Sequence, residues 1–255
     1  MMLILIRPLL ATVALGLATA LAAAEPCRTE RFGGADVIVC SFDLANDDVR
    51  IFWRNAAGDP YRTFHVLATE LQGEGKTLRF AMNGGMYAEG FEPIGLYVEG
   101  GEELVPVNTT TIEGSGSAVP NFYKKPNGVF YIGGGAAGVM ETEAFLAARP
   151  EAEFATQSGP MLVVDGAIHP AFIEDSDDRK PRNGVCASSP TAVHFVLADE
   201  WVNFHAFARF FRDVLGCANA LFLDGGSAPG IYAPELDRND APGHGGYGPI
   251  IAVVE

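Results

Sequence analysis

The run Leu221-Phe222-Leu223-Asp224-Gly225-Gly226-Ser227 carries the most telling chemistry of the chain. Three apolar residues of strand character end in a carboxylate, two glycines and a hydroxyl. A buried strand brings such a carboxylate to a sheet edge with little freedom left. Gly225 and Gly226 lack the Cβ that would hold a ligand off the backbone. Peptide N–H groups in such a turn form a concavity for an anion. Asp-Gly-Gly alone is also an ordinary turn, so weight comes from three more polar clusters flanked by glycine. Met82-Asn83-Gly84-Gly85-Met86-Tyr87 repeats the pattern with an amide, and Glu89 and Glu92 follow it. Asn83 there would hold a sugar hydroxyl or a phosphate oxygen. Thr156-Gln157-Ser158-Gly159-Pro160 leads into a strand at Met161. Ser158 lacks the G-x-S-x-G elbow of a nucleophile, so a hydrogen-bonding or turn role is expected. Arg182-Asn183-Gly184 stands just before the strand-like Val185-Cys186. An arginine there offers bidentate contacts to phosphate, and a surface ion pair to the neighbouring acidic run is the other reading.

Many short elements must position these groups. Gly 30 and Pro 16 in 255 residues imply turns and functional loops rather than a helical bundle. Val37–Phe42 and Val49–Trp53 read as strands of a hairpin about Ala45-Asn46-Asp47-Asp48. Gly95–Glu99 with Glu103–Val107, and Met161–Val164 with Ala167–Ile168, read as further hairpins. Thr77–Met82, Val129–Ile132, Ala192–Leu197, Ala220–Leu223 and Ile250–Val254 read as strands. Helical spacing runs over Thr63–Gln72, Glu141–Arg149 and Asn203–Leu215. Thr110–Pro120 reads as a mobile loop. The expectation is one α+β domain over 25–255, with mixed, largely antiparallel sheets and two to three packed helices.

Residues 1–24 are set apart as a signal peptide: one charge, Arg7, a Leu/Ala/Val run and a small-residue end at Ala22-Ala23-Ala24. A periplasmic or secreted protein, with no membrane insertion after cleavage, is therefore expected. Export makes Cys27, Cys40, Cys186 and Cys217 disulfide candidates. Of three possible pairings, Cys27–Cys40 is favoured because it ties the start of the domain to its first strand, which leaves Cys186 and Cys217 either as a second pair or as two buried thiols. Without Arg7, 16 basic residues face 32 acidic ones, a net charge of −16. Such a surface repels nucleic acid and anionic membranes. A small anionic substrate needs a local basic patch, which Asp175–Arg182 (D-S-D-D-R-K-P-R) and Lys124-Lys125 could supply. No cofactor is called for and no metal ligands are assigned. Asp175, Asp177 and Asp178 read as a solvated loop, with calcium as the alternative, although Lys180 occupies the glycine position of an EF-hand. His65, His194 and His205 read as packed or surface residues. His169 and His244 could assist proton transfer and are assigned no role.

Together M-N-G-G-M-Y, P-N-G-V-F-Y, A-T-Q-S-G-P-M-L-V-V-D-G, R-N-G-V and N-A-L-F-L-D-G-G-S resemble the phosphodiester glycosidase family, over about Ala81 to Val254 and nearest its exported bacterial branch. The resemblance implies hydrolysis of a sugar-1-phosphodiester at the anomeric carbon, giving free sugar and a phosphomonoester. By that resemblance Asn83 and Gly84, Ser158 and Gly159, Arg182, and Asp224 with Gly225 and Gly226 match family positions. Pro229, Gly133-Gly134-Gly135 and the loop Pro242–Gly246 depart from it as local embellishments.

The chemistry also follows from the residues. Glycosidic cleavage passes through an oxocarbenium-like transition state. Phosphate leaves far more easily than a sugar alkoxide, so the need for a general acid relaxes. Arg182 and the glycine N–H groups would stabilise the phosphate, and Asp224 would act at C1 as base or nucleophile. Glu89 is the candidate second carboxylate. Asn83, Gly84, Gly85, Ser158, Gly159, Asn183, Gly225, Gly226 and Ser227 would line the substrate. Two other classes stay open: a metal-dependent phosphodiesterase cutting P–O, and a non-catalytic envelope glycan-binding module.

Overall fold

The computed structural model describes residues 25–114 and 116–255, so the expected signal peptide lies outside the described residues. A first hairpin pairs β1 (Cys27–Phe32) with β2 (Ala35–Asp43) and sets Cys27 opposite Cys40, which form a disulfide. β3 (Asp48–Phe52), helix α1 (Phe64–Gly73), β4 (Leu78–Asn83) and the hairpin β5 (Tyr97–Glu99)–β6 (Glu102–Val105) follow. The hairpin β7 (Gly128–Gly133)–β8 (Ala136–Glu141) leads into α2 (Thr142–Ala148), β9 (Phe154–Ser158) and the hairpin β10 (Met161–Val164)–β11 (Ala167–Ile168). β12 (Lys180–Ala187) and β13 (Ala192–Val202) form the longest hairpin. Helix α3 (Phe204–Arg209) then widens into a π-type turn over Phe210–Val214, and β14 (Ala220–Gly225), β15 (Ile231–Ala233), β16 (Arg238–Asn239) and β17 (Ile250–Val254) end the order. A second disulfide joins Cys186 on β12 to Cys217 before β14. Each α-helix starts on a side-chain cap from Thr63, Glu141 or Asn203, which accepts an N–H that the first turn leaves unpaired.

The strands make three sheets: β1-β2-β13-β12-β14-β10-β11, β16-β15-β4-β17-β3 and β6-β5-β9-β7-β8. Every pairing among the described residues is antiparallel. One expected hairpin is not formed. β2 and β3 are consecutive but belong to different sheets, because β2 is already flanked by β1 and β13 while β3 pairs with β17. Gly133 closes β7 and pairs with Ala136, and Gly134 and Gly135 form the two-residue turn to β8 with the positive φ that such a turn demands.

The inner faces of all three sheets share one core, with Phe80 and Met82 from β4, Phe130 from β7, Phe195 from β13 and Leu221 and Leu223 from β14. The outer face of the first sheet is covered by α3 through Phe204 and Phe207 and by the π-type turn through Phe211, and that of the second by α1 through Phe64, Leu67 and Leu71. A strand buried on both faces needs an unbroken apolar run, which is why Leu221, Phe222 and Leu223 are consecutive. Asp224 thus stands at the end of a strand whose preceding residues, Ala220 to Leu223, are fully buried.

Candidate active site

Strand ends from all three sheets converge on Asp224. Asn183 on β12 lies opposite Asp224 on β14, next to a bulge that skips Leu223. Its Oδ1 accepts the Asp224 N–H at 2.9 Å, and its Nδ2 donates to Asn83 Oδ1 at 2.7 Å and to the Asn83 carbonyl at 3.2 Å. Asn83 Oδ1 also accepts the Gly230 N–H at 2.9 Å. Because a backbone donor meets an oxygen of each amide, both orientations are fixed. From the third sheet, Ser158 Oγ donates to the Leu223 carbonyl at 2.8 Å and Thr156 Oγ1 to the Gly84 carbonyl at 2.9 Å. The glycines let these layers close. A Cβ on Gly84 would lie 2.9 Å from Ile251 Cγ1, and one on Gly159 would lie 2.6 Å from Asn127 Cβ. Gly85 lies against Thr156, and Gly226 turns the chain at φ +73° with its N–H on the Pro181 carbonyl.

Above this floor lies a cleft of about 540 Å³. One wall is the tight turn from Met86 to Phe91, closed by hydrogen bonds from Ala88 N–H to the Glu92 carbonyl and from Ile94 N–H to the Met86 carbonyl. The other is Asp224, Gly225, Ser227 and Ala228, and His244 stands at the rim. Asp224 and Glu89 therefore face one space, the first recessed and the second exposed. Burial pushes the Asp224 carboxyl up to about 7, and the hydrogen bond from Gly225 N–H to its Oδ1, 2.8 Å, pulls in the other direction. Its Oδ2 has no hydrogen-bond partner among the described residues. A carboxyl with these properties takes and gives a proton near neutrality.

Of the residues read from the sequence as the site, Asp224, Glu89, Gly225 and Ser227 line the cleft. Asn83, Asn183, Ser158 and Gly159 do not line it. They are buried beneath it and hold its floor. Arg182 needs a correction. It sits inside β12 rather than before a strand, opposite Gly225, and its side chain leaves on the face covered by α3. There Nε donates to the Val202 carbonyl at 2.9 Å, Nη2 to the Asp178 carbonyl at 3.0 Å, and the guanidinium lies 3.6 Å from the Phe204 ring centre. Only 1% of its side chain is exposed, and burial lowers it to about 10, with Asp178 opposing. Such a residue is held by carbonyls and an aromatic ring, not presented to a phosphate. Asp178 is engaged by Lys180 at 2.7 Å, and among the described residues no three His, Cys, Asp or Glu side chains gather as a metal set.

Two cleft residues with polar side chains have no role assigned from the sequence: Tyr87, at the end of the Asn-Gly-Gly cluster, and His244. The histidine's one signal was its place between glycines in an otherwise featureless loop.

The comparisons agree with this architecture. The chain is 36% identical over 177 residues to the uncharacterised Escherichia coli protein YigE, covering 69% of this chain and 66% of that one, just under two thirds of its length. In structure it is similar to the catalytic domain of zebrafish N-acetylglucosamine-1-phosphodiester alpha-N-acetylglucosaminidase, auto-inhibited by its pro-peptide. There the TM-score is 0.58 at 13% identity, over 89% of this chain and 81% of that one. A candidate exported protein of Burkholderia pseudomallei shares the fold at TM-score 0.52 and 11% identity, over 86% of this chain and 74% of that one. A profile described as phosphodiester glycosidase matches residues 76–250, from just before β4 to the start of β17, and so takes in every element that meets at Asp224. The chain belongs to the phosphodiester glycosidase family.

Proposed function

We propose that the protein is a hydrolase that cleaves the glycosidic C–O bond of a sugar-1-phosphodiester, releasing free sugar and a phosphomonoester. The observation that carries this reading is the desolvated Asp224 carboxyl, its Oδ2 free, on one wall of a cleft that also holds Glu89. A phosphate leaving group lowers the demand for acid catalysis. The harder task is to bring water to C1 as positive charge develops there. Asp224 suits that task, because its proton affinity matches the working pH and its backbone is held by Asn183. Glu89 reaches the same space from the opposite wall, where a carboxylate favours the oxocarbenium-like charge. Gly225 and the Ser227 hydroxyl offer the phosphate oxygens a wall without bulk.

The proposed place of action is the periplasm or the exterior, on the joint support of the two disulfides and the leader-like residues 1–24. Among the described residues no helix is long and apolar enough to cross a membrane. The test is turnover of a panel of sugar-1-phosphodiesters in oxygen-18 water. Label in the released sugar supports C–O cleavage. Label in the phosphomonoester overturns it in favour of a phosphodiesterase, and tight binding without turnover points to a glycan-binding module.

A further inference from the structure

We propose that His244 is a further catalytic residue of this cleft, meeting the phosphate as the glycosidic bond breaks; the inference rests on the reading of the cleft as a sugar-1-phosphodiester site. A departing phosphate needs a cationic or hydrogen-bond-donating partner. With Arg182 turned toward α3, the described residues lining the cleft include no lysine or arginine, and His244 is the lining side chain able to become a cation.

Its ring is set by a chain of contacts that fixes the proton. The Tyr87 hydroxyl has one hydrogen. The Gly246 carbonyl, 2.6 Å away, can only accept, so the hydroxyl donates there. The 2.7 Å contact between the Tyr87 oxygen and His244 Nδ1 is then donated by the ring. Burial, and after it the charge of Asp224, pushes the Tyr87 phenol up to about 12, so the hydroxyl keeps its proton throughout the working range. The neutral imidazole therefore carries its hydrogen on Nδ1. Nε2 is the ring nitrogen left free, with no hydrogen-bond partner among the described residues.

The loop carrying the ring is pinned as well. Arg62 donates to the Gly245 carbonyl from Nη2 at 2.6 Å and from Nε at 3.2 Å, and its guanidinium lies 4.5 Å from the Phe91 ring centre. A Cβ on Gly246 would come within 2.6 Å of Phe91, so the loop lies flat on that ring. The charged and titratable groups around His244 are thus Arg62 ahead of α1, Tyr87 and Glu89 on the turn after β4, and Asp224 at the end of β14. Tyr87 and Arg62 are positioning residues.

In the step, the C1–O bond breaks and its electron pair passes to the phosphate oxygen, which takes the proton from Nε2 of the imidazolium. Water adds to C1 and gives its proton to Asp224. The products are free sugar and a singly protonated phosphomonoester. Asp224 ends protonated and His244 neutral, and exchange with solvent restores both.

The experiment compares the unaltered protein with His244→Gln and Tyr87→Phe on sugar-1-phosphodiesters whose aglycones run from alkyl to nitrophenyl, across pH. His244→Gln is expected to lose ~10²-fold in kcat on the alkyl esters. The deficit should shrink several-fold on nitrophenyl esters, whose phosphate leaves more easily. The limb of the pH profile that falls as pH rises should vanish, and in Tyr87→Phe it should shift rather than vanish. Turnover by the unaltered protein with an equal loss on every aglycone, or with no loss, overturns the role of His244 alone. No turnover by the unaltered protein on any ester overturns the underlying reading and this inference with it.

Discussion

Asn183 and Asn83 form a side-chain bridge between two sheets, 2.7 Å from Nδ2 to Oδ1, with both residues at most 1% exposed. Through its other atom Asn183 holds the Asp224 N–H, so the catalytic strand end is fixed by a side chain outside its own strand. Replacing Asn83 by alanine strands the Gly230 N–H donor and leaves Asn183 Nδ2 only its 3.2 Å bond to the main-chain carbonyl of residue 83. A loss of about 1–3 kcal/mol is expected in denaturant unfolding, by the cost of an orphaned buried polar group. Asn183→Ala should cost as much and also lower kcat, because the Asp224 backbone loses its anchor. An Asn183→Ala enzyme with unchanged kcat would remove it from the positioning of Asp224.

Asp224 should set the rising limb of the pH profile. Its carboxyl is pushed up to about 7 by burial, so the basic form accumulates only as pH approaches neutrality. kcat/KM should climb through that region until the falling limb begins. Asp224→Asn should abolish the limb and lower kcat by ~10²–10⁴, the usual contribution of a general base. A limb that survives in the variant belongs to another group.

The same shift makes Asp224 a liability for folding. An unfolded aspartate titrates near ~3.9, and the folded one is raised to about 7. Between these values the folded state keeps a proton that the unfolded state has released, so stability declines as pH rises and levels off above about 7. Ionised Asp224 then costs up to ~4 kcal/mol, one pKa unit being ~1.4 kcal/mol. Asp224→Asn should therefore melt above the unaltered protein at pH ~8 and together with it near pH ~4. A variant that melts lower at the alkaline end would contradict the burial argument.

Arg182 should behave as a structural residue. Alanine there frees the Val202 and Asp178 carbonyls and opens a cavity beside Phe204. A stability loss of ~3 kcal/mol or more is expected, with KM for a phosphodiester little changed below the melting range. A tenfold rise in KM at unchanged melting temperature would return Arg182 to the substrate.

The sequence made the local features legible. Asp224 at a strand end and the start of α2 follow from neighbours within a few residues, and the Cys27–Cys40 pairing spans only 13 positions, although the strand that carries Cys27 has no clear signal of its own. Sheet membership did not, because the turn after β2 looks the same whether β3 folds back on it or departs to another sheet. The side taken by Arg182 depends on the bulge at Asn183 and Gly184 and on α3 lying across that face, and neither is written in the R-N-G triplet. His244 escaped assignment because a glycine loop has no periodicity, and its partners Tyr87 and Arg62 lie 157 and 182 positions away along the chain.

β3 and β4 share no hydrogen bonds, since β17 lies between them and pairs with both. Until Ile250–Val254 emerges during synthesis, both neighbours keep bare edges open to stray partners. Asn83, at the tip of β4, loses its lateral support for the same interval. Without that central strand the Asn83 corner of the cleft has no frame, so shaving those five residues should release sticky protein with no turnover rather than a weakened variant.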